Sequence, residues 1–91
     1  MNLNFLKNRN LLITGGTGSL GNALIEYIIK KKILLKRLII FSRDEFKQSE
    51  MQKKFPEEKY KFLRYFLGDV RDDKRLSLAF RSVDYVIHAA A

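Results

Sequence analysis

Residues 11–21 read LLITGGTGSLG, a short apolar run that passes directly into glycines and hydroxyl side chains. The run is too short for a helix and is closed by glycine, the pattern of a β-strand buried on both faces. Gly15, Gly18 and Gly21 follow at intervals of three. Such a cluster either turns the chain, with Ser19 capping the next helix, or carries backbone amides up to a phosphate. In the second case Gly15 permits the sharp turn, Gly18 the approach of an anion to the backbone, and Gly21 close packing of helix on strand. The amides of Thr17, Gly18, Ser19 and Leu20 would then face the anion at a helix N-terminus, with the hydroxyls of Thr17 and Ser19 as extra donors. The spacing departs from GxGxxG, and the lysine of a P-loop is missing.

Reading outward from this stretch, strand and helix alternate. Leu20, Ala23, Leu24, Tyr27 and Ile28 form one apolar helical stripe, and that helix should stop near Lys32. RLIIFS is a second buried strand. DEFKQSEMQKKF is a helix with Met51 and Phe55 on one face, ended by Pro56. KFLRYFLGDV is a longer, amphipathic third strand. DDKRLSLAFRSV places Leu76, Ala79, Phe80 and Val83 at helical spacing behind an Asp72 cap, and DYVIHAAA is a fourth strand running to the last residue. The order β-α-β-α-β-α-β predicts an α/β fold, a Rossmann-like doubly wound parallel sheet of which residues 1–91 supply the N-terminal half. A fourth strand with no helix behind it leaves one face thinly covered. The chain is therefore expected to be an N-terminal fragment of an NAD(P)-binding domain, its catalytic and substrate portion absent.

Composition excludes several classes. The 91 residues contain no cysteine and one histidine, which rules out disulfides and thiolate metal sites and argues against a histidine-rich one; no metal site is expected. No apolar run approaches the about 18 residues of a membrane helix, and no signal peptide precedes the first strand. A cytoplasmic protein is expected. The net charge of +8 lies mostly around one helix end and in stretches where Lys53, Lys54, Lys59 and Lys61 alternate with Glu57 and Glu58. That distribution suits a solvated surface, so neither a nucleic-acid nor a membrane partner is expected.

A second anchor follows RLIIFS. At this place in a dinucleotide fold a carboxylate selects a free 2'-hydroxyl, whereas arginine accommodates a 2'-phosphate. Here Arg43 comes first, then Asp44, with Lys47 one turn on. Two cations bracketing a phosphate favour NADP over NAD. The alternatives are that Arg43 pairs with Asp44 or Glu45 and that Lys47 is simply solvated. In GDV, Asp69 could accept from the adenine amine while Val70 packs on the ring. Ala89 and Ala90 offer a small surface beneath ribose and pyrophosphate, or pack under a helix. His88 is read as a hydrogen-bonded structural residue.

LLITGGTGSLGNALIEYI, IIFSRDEFKQSEM, RYFLGDVRD and VDYVIHAAA together resemble the N-terminal half of the inverting UDP-N-acetylglucosamine 4,6-dehydratases, extended short-chain dehydrogenase/reductases of polysaccharide biosynthesis. The resemblance implies NADP, with Thr17 to Leu20 on the pyrophosphate, Arg43, Asp44 and Lys47 at the 2'-phosphate end, and Asp69 and Val70 on adenine. Leu20 stands where phenylalanine is common. It further implies a UDP-sugar substrate oxidised at C4, loss of water across C5 and C6, return of hydride to C6 with inversion at C5, and a homo-oligomer at full length. The resemblance also implies that the family's YxxxK pair and its other catalytic residues lie well downstream; Tyr60, Tyr65 and Tyr85 lack a lysine at that spacing. No catalytic residue is assigned, and residues 1–91 alone are expected to be inactive. An epimerase or reductase of the same superfamily, or a non-catalytic NADP sensor, are the other readings.

Overall fold

The computed structural model describes residues 3–89. Apolar runs too short for helices form the strands β1 (Asn10–Thr14), β2 (Arg37–Ser42), β3 (Leu63–Leu67) and β4 (Tyr85–His88). Between them lie α1 (Ser19–Lys31), α2 (Glu45–Lys54) and α3 (Asp73–Ala79), with a single 3-10 turn, Asn4–Leu6, ahead of β1. Every strand pairing is parallel, and the order across the sheet is β3-β2-β1-β4. Such pairing requires crossovers, which the three helices supply.

β1 and β2 are buried almost throughout because both of their faces are covered. One face carries Leu11, Ile13, Leu38, Ile40 and Leu63 against Ile25 and Ile28 of α1 and Met51 of α2. The other face sets Leu12, Ile39 and Phe41 against Ala79, with Leu76, Val83 and Val70 at the margin. This second layer is thin. α3 has seven residues, and Leu78, Phe80 and Val86 remain 40–53% exposed.

Local signals explain the helix limits. Asp44 and Asp72 cap α2 and α3, their carboxylates accepting from the amides of Lys47 and Arg75. α1 ends where Lys32 turns left-handed at φ 53°, behind Lys30 and Lys31 in its last turn.

Three expectations change. The buried stripe of α1 is Gly21, Ile25 and Ile28, whereas Leu20 and Ala23 are exposed. A Cβ on Gly21 would lie 1.6 Å from the Gly16 carbonyl oxygen, so this close approach sets the rotation of the helix. It also shows that Gly21 packs on the glycine loop itself more than on the strand. β3 is confined to Leu63–Leu67: Lys61 lies in a turn, and Gly68 follows the strand, its amide making a last bond to the Ser42 carbonyl at 2.9 Å. β4 stops at His88; Ala89 follows outside it, and Ala90 lies outside the described residues.

Candidate functional site

In an open parallel sheet, ligands bind beyond the carboxyl ends of the strands, where the connections diverge to opposite faces. That point falls here between β1 and β4, since α1 and α3 pack on different faces. A cleft of about 540 Å³ opens at this end of the sheet, over the carboxyl ends of β1, β2 and β3, with Ala89 reaching it from beyond β4. Of the residues expected at a site, Gly15, Thr17, Gly18, Arg43, Asp44, Lys47, Asp69, Val70 and Ala89 line it.

The glycine loop is a wall of this cleft. Gly15 turns at φ 66°, where a side chain would be strained, and its amide donates to the Phe41 carbonyl at 2.9 Å. The Gly18 amide donates to the Gly15 carbonyl at 3.3 Å, so it serves the turn rather than the cleft. Gly18 is also the N-cap of α1, with no side-chain cap bond, which removes Ser19 from the capping role. Ser19 and Leu20 occupy the exposed first turn, where amides have no carbonyl behind them. Those amides lie at the positive end of the helix dipole, where an anion is favoured, although neither residue lines the cleft.

Two side chains that sequence reasoning passed over hold the loop. Asn22 donates through Nδ2 to the carbonyls of Gly18 at 3.0 Å and Thr17 at 3.4 Å. Ser42, buried at the end of β2, lies 3.2 Å from the Thr17 hydroxyl and accepts from the Asp44 amide at 3.1 Å. One hydroxyl thereby joins the glycine loop to the loop that carries Arg43. Asn22 was detectable as a polar residue one turn beyond Gly18, and Ser42 as a polar end to an otherwise apolar strand.

Arg43 pairs neither with Asp44 nor with Glu45. Its guanidinium points across the cleft to Asp69 at 3.7 Å, while Asp44 is occupied as the cap of α2. Asp69 is also gripped by Arg71, whose Nη2 and Nε donate to the carboxylate at 2.7–3.2 Å and whose amide donates at 2.9 Å. The Arg71 bonds, first through its side chain and then its backbone, hold the Asp69 carboxyl well below the usual carboxylate range. Arg71 is a third residue that the spacing did not single out. At the ends of β1 and β4, Thr14 Oγ1 and His88 Nδ1 lie 2.6 Å apart, which gives His88 the structural partner expected of it.

A second groove, about 600 Å³, runs between α1 and α2 and shares Thr17 and Lys47 with the cleft. Its remaining cations, Lys53 and Lys54, are paired with Glu50 and Glu26. Among the described residues, no group of three or more His, Cys, Asp or Glu is placed to hold a metal ion, and no helix is long and apolar enough to cross a membrane.

The sequence profile of the family described as polysaccharide biosynthesis protein matches residues 11–91. The chain belongs to that family. Among curated relatives, the inverting UDP-N-acetylglucosamine 4,6-dehydratase of Campylobacter jejuni is 51% identical over 83 residues, which cover 91% of this chain and 24% of that enzyme. A UDP-glucose 4-epimerase of Rickettsia akari is 48% identical over 85 residues, with the same shares. The chain thus spans about a quarter of the length of these relatives. Among solved structures, Pen from Bacillus thuringiensis superimposes with a TM-score of 0.83 at 37% identity, covering 96% of this chain and 27% of Pen. The dTDP-glucose 4,6-dehydratase of Bacillus anthracis, solved with NAD, reaches 0.68 at 18% identity over 91% of this chain and 27% of its own. At that identity the likeness speaks for the Rossmann-like fold alone. Within the polysaccharide biosynthesis protein family, then, this chain supplies the glycine loop and the strand ends that face it.

Proposed function

We propose that residues 1–91 are the cofactor-binding N-terminal part of an NADP-dependent nucleotide-sugar dehydratase. At full length it would convert UDP-N-acetylglucosamine to a 4-keto-6-deoxy sugar with inversion at C5, for surface polysaccharide or flagellin glycan synthesis. The observation that carries the cofactor reading is the meeting of Arg43 and Lys47 with the glycine loop around one cleft. The residues fit an anionic dinucleotide: the turn at Gly15 and the bare first turn of α1 suit a pyrophosphate, and a guanidinium and an ammonium suit a 2'-phosphate. Val70 and Gly68 leave an apolar and a small surface for an adenine, with Asp69 beside them. Ala89 lies where the cofactor would leave β4, while the share of Ala90 lies outside the described residues.

NADP, when bound, supplies the hydride acceptor for sugar oxidation. These residues bind and orient it, and none of them is assigned to the proton transfers. The substrate reading rests on the 51% identity to the Campylobacter enzyme. The 48% identity to an epimerase favours the second reading, inversion at C4 of a UDP-hexose by the same cofactor half. Incubation of the purified full-length gene product with UDP-N-acetylglucosamine, followed by NMR, decides between them. A 4-keto-6-deoxy product with inverted C5 supports the proposal; a C4 epimer retaining its 6-hydroxyl overturns it in favour of the second reading.

A further inference from the structure

The negative charge of an aspartate in a cleft that is to hold phosphates has to be compensated. Asp69 extends from the end of β3 toward Arg43, the cation best placed for a 2'-phosphate. Left to itself, this carboxylate would hold the guanidinium and repel an incoming phosphate, at separations where exposed charges still interact. The structure gives the carboxylate a second and tighter partner. Arg71 takes it side-on: Nη2 donates to Oδ2 at 2.7 Å, Nε to Oδ1 at 3.1 Å and to Oδ2 at 3.2 Å, and the Arg71 amide donates to Oδ1 at 2.9 Å. Arg43, at 3.7 Å, is beyond hydrogen-bond distance.

We propose that Arg71 is a positioning residue for phosphate selection: it fixes and neutralises the Asp69 carboxylate, so that Arg43 is free to exchange its loose pairing for a 2'-phosphate on the bound nucleotide. The inference rests on the nucleotide reading above and deepens it. Arg71 acts through Asp69 and need not touch the ligand.

The test compares binding of 2',5'-ADP and ADP to the full-length protein by calorimetry, the ratio of the two affinities being the readout. Both probes carry adenine, so any change in adenine binding cancels in the ratio. Arg71→Gln is expected to lower the preference for 2',5'-ADP about threefold to fivefold, the scale of one exposed charge pair. Arg71→Lys, which keeps the charge, retains most of the preference. Asp69→Asn combined with Arg71→Gln restores it, because the anion that needed neutralising is gone. An unchanged ratio in Arg71→Gln overturns the proposal, as does a loss that persists in the Asp69→Asn background, which would mean direct contact or damage to the fold. A wild-type protein that binds neither probe overturns the nucleotide reading and this inference with it.

Discussion

Thr14 at the end of β1 and His88 at the end of β4 are joined by a 2.6 Å hydrogen bond between Oγ1 and Nδ1. The two residues sit side by side in the parallel register, and beyond them the Ala89 amide donates to the Thr14 carbonyl at 3.0 Å. Among the described residues β4 lies at the edge of the sheet with three of its four residues exposed, so this pair ties its end to β1 beside the cleft. Thr14 is 2% exposed, whereas His88 is exposed. The two halves of the bond are therefore unequal. His88→Ala strands a buried hydroxyl and is expected to cost about 1–3 kcal/mol, whereas Thr14→Val leaves only a solvated imidazole and costs about 1 kcal/mol. Urea unfolding at constant m value measures both. A smaller loss for His88→Ala than for Thr14→Val contradicts the assignment.

Gly18 and Gly21 are expected to separate by experiment into a glycine of the cleft wall and a glycine of the fold. A Cβ on Gly18 would meet nothing nearer than the Gly15 carbonyl oxygen at 3.6 Å, an ordinary contact, and its φ of −83° is open to any residue. On Gly21 it would overlap the Gly16 carbonyl at 1.6 Å. Gly21→Ala must push α1 off the loop and is expected to destabilise by about 1–3 kcal/mol or more. Gly18→Ala is expected to cost about 1 kcal/mol or less through the poorer cap, while weakening nucleotide binding far more than its stability loss explains. Thermal unfolding beside nucleotide titration reads the two effects. Equal stability losses would place Gly18 in the packing of the loop and not in the ligand wall.

Those two glycines also mark what the residues disclosed unaided. β2 lies where an unbroken apolar run places it, and Asp72 caps α3 as its position ahead of a helical stripe indicates. Both are decided within a few residues of chain. The buried face of α1 was not legible in this way, because its rotation is set by contact between Gly21 and Gly16 of the preceding turn, which outweighs the pull of exposed Leu20 and Ala23. At the site, the glycine loop and Arg43 stood out by spacing. The partners of Arg43 and Asp69 did not, since the turn after β3 brings Arg71 back onto Asp69, and sequence distance favoured Asp44 and Glu45 for Arg43.

Tyr65 contributes to stability and loses that contribution in alkali. Its hydroxyl donates to the Phe55 carbonyl at 2.6 Å, tying β3 to the end of α2. Burial first, and the neighbouring Glu57 carboxylate second, push the phenol well above its ordinary value of 10.0. For an acid whose pKa is raised by folding, the neutral form is the one that the native state favours. The stabilisation is thus full below pH about 10, where the unfolded phenol keeps its proton, and declines as pH climbs toward the raised value. Tyr65→Phe is expected to lose about 1 kcal/mol at neutral pH and to flatten this part of the alkaline decline. Stability curves measured from pH 7 to 11 for both proteins check it, and parallel curves would contradict it.

On the proposed reading, Arg43 and Lys47 are expected to carry the distinction between NADP and NAD, and to do so unequally. Arg43 offers a planar fork that can meet a phosphate with two donors, and in the structure its own pairing with Asp69 is loose, at 3.7 Å. Lys47 offers a single mobile ammonium at the edge shared by the cleft and the neighbouring groove. Arg43→Ala in the full-length protein is expected to weaken NADP binding by about 1.5–3 kcal/mol, the worth of a hydrogen bond to a charged group, with little change for NAD. Lys47→Ala should cost less, about 0.2–1 kcal/mol, as for an exposed charge pair. Neither change reaches the α2 cap, because Asp44 accepts from the Lys47 backbone amide at 2.9 Å rather than from its side chain. Stability should therefore stay level while the ratio of NADP to NAD affinity falls. Titration of each variant with both dinucleotides measures that ratio, and an unchanged ratio in Arg43→Ala would remove the arginine from the phosphate site.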